Sequence, residues 1–333
     1  MKIAYIFCPI PHHGRLNGIV SQCLTWADSL RNEGHQVDLI TSWETHEWGT
    51  YDVIHVFGST DIWFYGFITG ILSYNPKVVW SPICDNIDSP LIQRFKSHVA
   101  LPQMGLFSLP YIRRKTYLLP IRISVRSQHE RYYISQAYGV PMDKFDIVPL
   151  GISSDIGCDG SSICAKENFC FHLSTLYQGR KNVIRLVKAA RKYGFKLVLA
   201  GTTGTEEEFR PISEEIAGSN NIEVLGRISE EKKIELYKRA KVFALPSISE
   251  GVGIAALDAA HYGCDIVITN VGGPKEYYAD LAWIVDPYDV DAIGNAICSA
   301  MVQTHQPNLK TNIDLNYTNK AIVKSLLASY YNL

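Results

Sequence analysis

Twice along this chain, short runs rich in β-branched and aromatic residues alternate with stretches of helical period, and that alternation admits few folds. In the first series the strand-like runs are Ile3–Cys8, Gln36–Thr41, Val53–Phe57, Val78–Trp80, Arg122–Val125 and Phe145–Pro149. A helix is expected from about Gly18, with Ile19, Cys23, Ala27 and Leu30 on one face and Gly34 ending it. Ser127-Gln-His-Glu130 reads as a capping box opening a helix that runs to about Tyr138. The rhythm breaks over 151–168, a stretch rich in Ser, Gly, Asp and Cys, and a domain boundary is expected there. The second series has Phe169–Leu173, Leu197–Ala200, Ile222–Leu225, Val242–Leu245, Ile266–Thr269 and Ala282–Val285, then a last helix over Tyr317–Tyr331. Strands alternating with helices pair in parallel through right-handed crossovers. The expectation is an α/β chain of two doubly wound domains, 1–150 joined by the helix 317–333, and 151–316. Open parallel sheets leave crevices at their carboxyl ends, and facing crevices would make an interdomain cleft.

At 333 residues, 47% of them hydrophobic, the chain can bury two cores. A formal charge of -1 argues against a nucleic-acid partner. Eight cysteines are scattered through it, several in apolar runs, as suits free thiols in a reducing cytoplasm. Cys158, Cys164 and Cys170 lack an accompanying CxxC pair, so no zinc site is expected. The opening MKIAYIFC reads as a strand and not as a signal peptide. The longest apolar run, Ile62–Leu72, reads as a buried helix, well short of the roughly twenty residues of a membrane span. Tyr111–Tyr117 and Arg122–Arg126 mix basic and aromatic residues, either as a solvated face or as a contact with anionic lipid. A cytoplasmic protein is expected, with peripheral contact at the inner face of the membrane as the variant.

The densest chemical signal is Pro246-Ser-Ile-Ser-Glu-Gly-Val-Gly-Ile-Ala-Ala-Leu-Asp258. A buried strand ends at Pro246, a glycine-containing turn follows, and a helix is expected to begin near Val252. Backbone N–H groups at such a helix start suit a diphosphate, and glycines at 251 and 253 let a ligand approach the main chain. Eight residues separate Glu250 from Asp258, about 12 Å of helical rise. Carboxylates so placed fit hydroxyl recognition at two ends of an extended ligand, and are too far apart for the paired carboxylates of a retaining glycosidase.

This segment resembles the E-x7-E signature of retaining GT-B glycosyltransferases, above all family 4, with Asp258 in place of the second Glu. Asn17-Gly18-Ile-Val-Ser-Gln resembles the family's turn after its first strand, and Asn32-Glu-Gly-His-Gln-Val its passage into the second. Asp52-Val-Ile-His-Val, Val125-Arg-Ser-Gln-His-Glu-Arg, Ile147-Val-Pro-Leu-Gly-Ile and Gly272-Gly-Pro-Lys-Glu276 follow in register, so the likeness covers essentially the whole chain. The resemblance implies two Rossmann-like domains: an N-terminal one for a glycan or lipid-linked acceptor and a C-terminal one for a nucleotide-sugar donor, UDP- or GDP-linked. It implies that Glu250 binds donor-sugar hydroxyls and that Asp258, one methylene further back, binds ribose hydroxyls. Lys181 in Gly-Arg-Lys-Asn matches the phosphate lysine; the main chain at Gly251, Val252, Gly253 and Ile254 would contact sugar and diphosphate. Gly226-Arg227-Ile228 would hold the nucleobase, and Gly18 would border the phosphates. The implied reaction is retaining, with no metal or other cofactor and with the leaving phosphate receiving the acceptor proton.

Two positions depart from the pattern. Thr175 stands where the family has an arginine, with Arg180 as a neighbouring replacement, and Ile83 or Cys84 stands where a histidine is usual. These departures keep open a weak or inactive paralogue that acts as a nucleotide-sugar-binding or partner subunit. An epimerase-like GT-B protein is disfavoured by the carboxylate spacing, and a Rossmann oxidoreductase by the lack of GxGxxG after the first strand. His12 and His13, in the loop after that strand, are candidates for acceptor contact. Asp289-Val-Asp291 resembles a metal-binding DxD, but its place at a helix start predicts a cap. The irregular stretches Pro9–Asn17 and Ser81–Tyr117 are expected to choose the acceptor.

Overall fold

A computed structural model describes residues 1–7, 18–40, 45–58, 62–85, 88–153 and 165–333. The chain divides into two units, Met1–Ser153 with Asn319–Leu333, and Ser154–Thr318.

In the first unit the chain runs β1 (Lys2–Phe7), α1 (Gly18–Asn32), β2 (Gln36–Ile40), β3 (Val53–Phe57), α2 (Ile62–Leu72), β4 (Val78–Ser81) and α3 (Pro90–Lys96). A two-stranded antiparallel hairpin follows, β5 (Ala100–Leu101) and β6 (Leu106–Phe107). Then come α4 (Leu109–Leu118), β7 (Arg122–Val125), α5 (Gln128–Tyr138) and β8 (Phe145–Ile147). The main sheet is parallel, in the order β2-β1-β3-β4-β7-β8. Every residue of β3 and β4 is buried, because helices cover both faces of a parallel sheet. Cys8 and Thr41, expected to end strands, lie outside the described residues. The stretch Ser81–Tyr117, expected to be irregular, instead holds two helices and the hairpin.

The capping box is only half formed. Ser127 Oγ accepts from the Glu130 N–H, but the Glu130 carboxylate does not return to Ser127. It accepts from the backbone N–H groups of Arg126, at 2.7 Å, and Cys84, at 2.6 Å, and from the Arg126 guanidinium. The long Arg126 side chain folds back over its own helix start and draws the carboxylate there.

The second unit contains β9 (Glu167–Leu173), α6 (Val183–Tyr193), β10 (Leu197–Ala200), α7 (Glu206–Ile216), β11 (Ile222–Gly226), α8 (Glu230–Arg239) and β12 (Ala240–Leu245). It continues through α9 (Ile254–His261), β13 (Asp265–Thr269), α10 (Pro274–Tyr278), β14 (Trp283–Val285), α11 (Val290–Val302) and α12 (Asn308–Asn316). Its parallel sheet is ordered β11-β10-β9-β12-β13-β14, so the winding reverses between β9 and β12. Asp289 accepts from the N–H groups of Asp291 and Ala292 and caps α11, while Asp291 pairs with Lys192.

The last helix lies where the sequence places it, starting at Asn319 rather than Tyr317. After α12, a separate α13 (Asn319–Tyr331) belongs to the first unit. Its Tyr330 hydroxyl lies 2.6 Å from His55 Nδ1 and 3.0 Å from the Tyr5 hydroxyl, and Ser81 Oγ lies 2.8 Å from His55 Nε2. This buried chain of polar groups is satisfied only with α13 in place.

Candidate functional site

In an open parallel sheet, chemistry gathers at the carboxyl ends of the strands flanking the winding reversal. In the second unit those strands are β9 and β12. The segment after β9 makes a single 3-10 turn, Gly179–Lys181, and ends at Asn182 with φ 61°. The Asn182 amide donates to the carbonyls of Pro246 and Pro287, at 2.8 and 2.7 Å, and the Ile248 N–H donates to Arg180 O. The two segments are thereby stitched together.

That stitching sets Lys181 Nζ on the Glu250 carboxylate. Ser247 Oγ donates to Glu250 Oε1 at 3.0 Å, and Arg180 Nη1 lies 3.7 Å from Oε2 while donating to Ser249 O at 3.3 Å. Glu250 is only 7% exposed, so its charge needs these partners. Two cations against one carboxylate leave the cluster with an excess positive charge, the sign that favours an anion. Beneath it, His172 is fully buried, and burial pulls its pKa down to about 4. Its Nδ1 lies 2.7 Å from Ala244 O, so Nδ1 carries the proton and Nε2 accepts from Ser174 Oγ.

The Glu250 main chain is bracketed by the Gly272-Gly273 loop. Its N–H donates to Val271 O and its carbonyl accepts from Gly273 N. Gly272 sits at φ +101°, and a Cβ there would fall 1.8 Å from Glu250 O, so no other residue permits this approach. Gly253, at φ +81°, starts α9, and the Tyr278 hydroxyl donates to its carbonyl at 3.1 Å. The helix begins at Ile254 rather than near Val252, because Gly253 is left-handed. Only the four steps from Ile254 to Asp258 therefore rise helically, about 6 Å, and the expected 12 Å of rise from Glu250 does not apply. Asp258 is 6% exposed and lies near Tyr237 and Tyr278. Burial, then the nearby Asp258 charge, pushes the Tyr237 hydroxyl pKa well up.

Of the other expected residues, Gly226 ends β11 and accepts from Gly201 N at 2.7 Å. Arg227 is exposed and donates to Thr202 Oγ1, with Ile228 half-buried beside it. Thr175 accepts from Gln178 N, so its backbone shapes the turn carrying Lys181. Gly18 opens α1 in the first unit, and His12 and His13 lie outside the described residues. Ile83 takes a left-handed φ of 51°, a strained choice for a β-branched residue, and Cys84 is pinned by Glu130 and Arg126. Both border a cavity of about 490 Å³ in the first unit, lined also by Trp80, Asp85, Arg113 and Tyr138. Sequence reasoning missed Ser247, Asn182, His172 and Tyr278. Asn182 had a signal in Gly-Arg-Lys-Asn, since Asn is the residue most suited to the left-handed position before a helix.

Residues 162–314 match the family model described as Glycosyl transferases group 1. O-antigen chain mannosyltransferase B of Escherichia coli is 27% identical over 191 residues, covering 53% of this chain and 50% of that protein. The chain thus spans about half the length of that curated relative. An uncharacterized glycosyltransferase of Methanocaldococcus jannaschii is 24% identical over 327 residues, covering 83% of this chain and 82% of its own. Among solved structures, Anabaena HepE in complex with UDP superposes with a TM-score of 0.76 at 16% identity, over 100% of both chains. At that identity the likeness speaks to fold alone.

Proposed function

The chain has the GT-B fold and carries a glycosyl transferases group 1 domain over residues 162–314, and from that premise we propose that it transfers a sugar, with retention, from a nucleotide-sugar donor to a glycan or lipid-linked acceptor. The observation that carries this reading is the buried Glu250 carboxylate, held between Lys181 and Arg180 at the ends of β9 and β12. Without ligand, carboxylate and ammonium neutralise each other. An arriving diphosphate competes for Lys181 and Arg180 and frees Glu250 to accept from donor-sugar hydroxyls. Asp258 is assigned to ribose hydroxyls, the main chain at Gly251–Ile254 to sugar and diphosphate, Gly226–Ile228 to the nucleobase, and Gly18 to the phosphate side.

In the transfer, the bond between the anomeric carbon and the diphosphate oxygen breaks as the acceptor oxygen bonds to the same face. The acceptor proton goes to the departing phosphate oxygen. Lys181 and Arg180 stabilise the charge that grows there, so the rate comes from positioning and electrostatics, with no metal required. Complexes of the structural neighbour HepE with UDP and with UDP-glucose favour a UDP-linked donor over a GDP-linked one. The free cysteines Cys23, Cys84, Cys170, Cys264 and Cys298 are consistent with work in the reducing cytoplasm.

Thermal unfolding in the presence of nucleoside diphosphates tests the donor site. A ligand at a hundred times its Kd stabilises the native state by about 2.7 kcal/mol. We expect UDP or GDP to raise the melting temperature, and Lys181→Ala to abolish the shift. No shift with any nucleotide at millimolar concentration would remove the donor-site assignment and leave a partner subunit without turnover as the reading.

A further inference from the structure

The region from α3 to α4 leaves an unusual amount of apolar surface in water. Nearly half of the large apolar side chains exposed among the described residues fall between Leu91 and Leu118. Leu91 is 76% exposed, Phe95 75% and Met104 70%, with Ile92, Leu106 and Phe107 beside them. On α3 only Gln93 is buried, so this helix packs through one position and presents the rest outward. The hairpin β5–β6 carries Leu101, Leu106 and Phe107, and its turn holds Met104. Such a patch on a folded chain marks a surface meant to be covered.

Charge says by what. From Ser89 to His129 there is no Asp or Glu, yet there are seven Arg and Lys residues, in a chain whose net charge is -1. Arg122 and Arg126, expected to belong to a basic surface, do not: Arg122 is paired with Asp146, and Arg126 is buried against Glu130 and Asp85. Lys96 pairs with Asp88 at 3.0 Å, and the cations that remain, Arg94, Arg113, Arg114 and Lys115, sit on the same two helices as the apolar side chains. Phe107 and Tyr111 stack with ring centroids 5.8 Å apart, and Lys115 Nζ lies over the rings of Tyr65 and Tyr111. Apolar side chains, interfacial aromatics and unopposed cations together fit an anionic bilayer surface, whose phosphates take the cations while the acyl boundary takes Leu91, Phe95 and Met104.

We infer that α3, the β5–β6 hairpin and α4 form a monotopic docking surface for anionic lipid bilayers. No described helix is long and apolar enough to cross a membrane, so the contact is a surface one. The inference goes beyond the nucleotide-sugar reading, and lipid binding is measured without donor or turnover, so either can fail alone. If both hold, the acceptor class narrows to lipid-linked molecules.

The test is sedimentation of the full chain with vesicles of phosphatidylcholine alone or with about one-third phosphatidylglycerol, alongside light scattering in solution. Wild type should bind the anionic vesicles, and binding should weaken as salt shortens the screening length. Arg94→Gln with Lys115→Gln should weaken binding about thirtyfold, taking each cation near the surface at its usual worth. Leu91→Ser with Phe95→Ser should weaken it at least about tenfold. Both pairs are exposed, so melting temperatures should stay at the wild-type value. Failure of wild type to bind anionic vesicles at low salt, or equal binding to neutral ones, would overturn the inference. So would a wild-type dimer that the serine pair makes monomeric, because the patch would then be an interface between copies.

Discussion

Glu250 and Lys181 can be separated by what each loses when the other goes. Lys181→Met leaves a buried carboxylate facing only Ser247 and the half-exposed Arg180, and should cost about 2 kcal/mol of stability, less than the usual cost of a broken buried pair because Arg180 remains. Adding Glu250→Gln removes the stranded charge and should recover most of that loss in chemical denaturation. Donor-induced stabilisation should not return in the double variant. A double variant no more stable than Lys181→Met would show that the pair has no electrostatic coupling. Glu250 was legible from sequence because a glycine-rich turn after a buried strand announces itself, and Lys181 through the resemblance carried by Gly-Arg-Lys-Asn. Their direct contact was not, since 69 residues separate them and no local spacing encodes the pairing. Ser247 was invisible for the same reason: its hydroxyl matters only once the turn curls Glu250 back over it.

At the level of elements, the strands were the easiest to read and the connections the hardest. A fully buried parallel strand such as β10, Leu-Val-Leu-Ala, appears as a continuous apolar run, and the structure has it where the periodicity predicts. The start of α5 shows where pattern matching stops. A serine followed by glutamate three residues on has the form of a capping box, yet a preceding arginine captures the carboxylate. That network ties α5 to the segment after β4, where the Cys84 N–H and carbonyl are both held. Glu130→Ala should therefore cost about 3 kcal/mol, far more than a helix cap, because it leaves the nearly buried Arg126 guanidinium with only the more exposed Asp85 as its counter-charge. Ser127→Ala should cost about 1 kcal/mol, as a cap does. Equal losses in denaturant titrations would show that the glutamate serves only as a cap. The stretch from Ser81 to Tyr117 was misjudged as irregular because its elements are short and turn their apolar side chains outward, which erases the usual periodicity.

For the molecule as a whole, the two sheets share a device with a pH signature. Each holds a fully buried histidine on an inner strand, His55 on β3 and His172 on β9. Burial lowers their pKa from the usual 6.5 to about 3 and about 4. Both remain neutral in the folded chain at acid pH, whereas in the unfolded chain they protonate below about 6.5. The unfolded state then binds more protons, so stability is full above that pH and falls as the pH drops. Between pH 6 and 4 the loss should approach about 1.4 kcal/mol per pH unit for each histidine. Denaturation midpoints across that range should show the slope, and His55→Gln should remove the first unit's share. A flat profile would mean that the imidazoles are not buried neutral.

The position of α13 has a consequence for the order in which the protein can be made. Its residues follow the entire second unit in the chain, yet Tyr330 completes the hydrogen bonding of His55 and Tyr5 at the heart of the first. On the ribosome, the β1–β8 sheet emerges first and cannot reach its native state until residues 319–331 have been translated. The later half, contiguous from 154 to 318, can finish while the earlier half waits. Nascent chains of this protein should thus expose an unfinished sheet for the whole time the second unit takes to emerge, a window in which chaperone binding matters most.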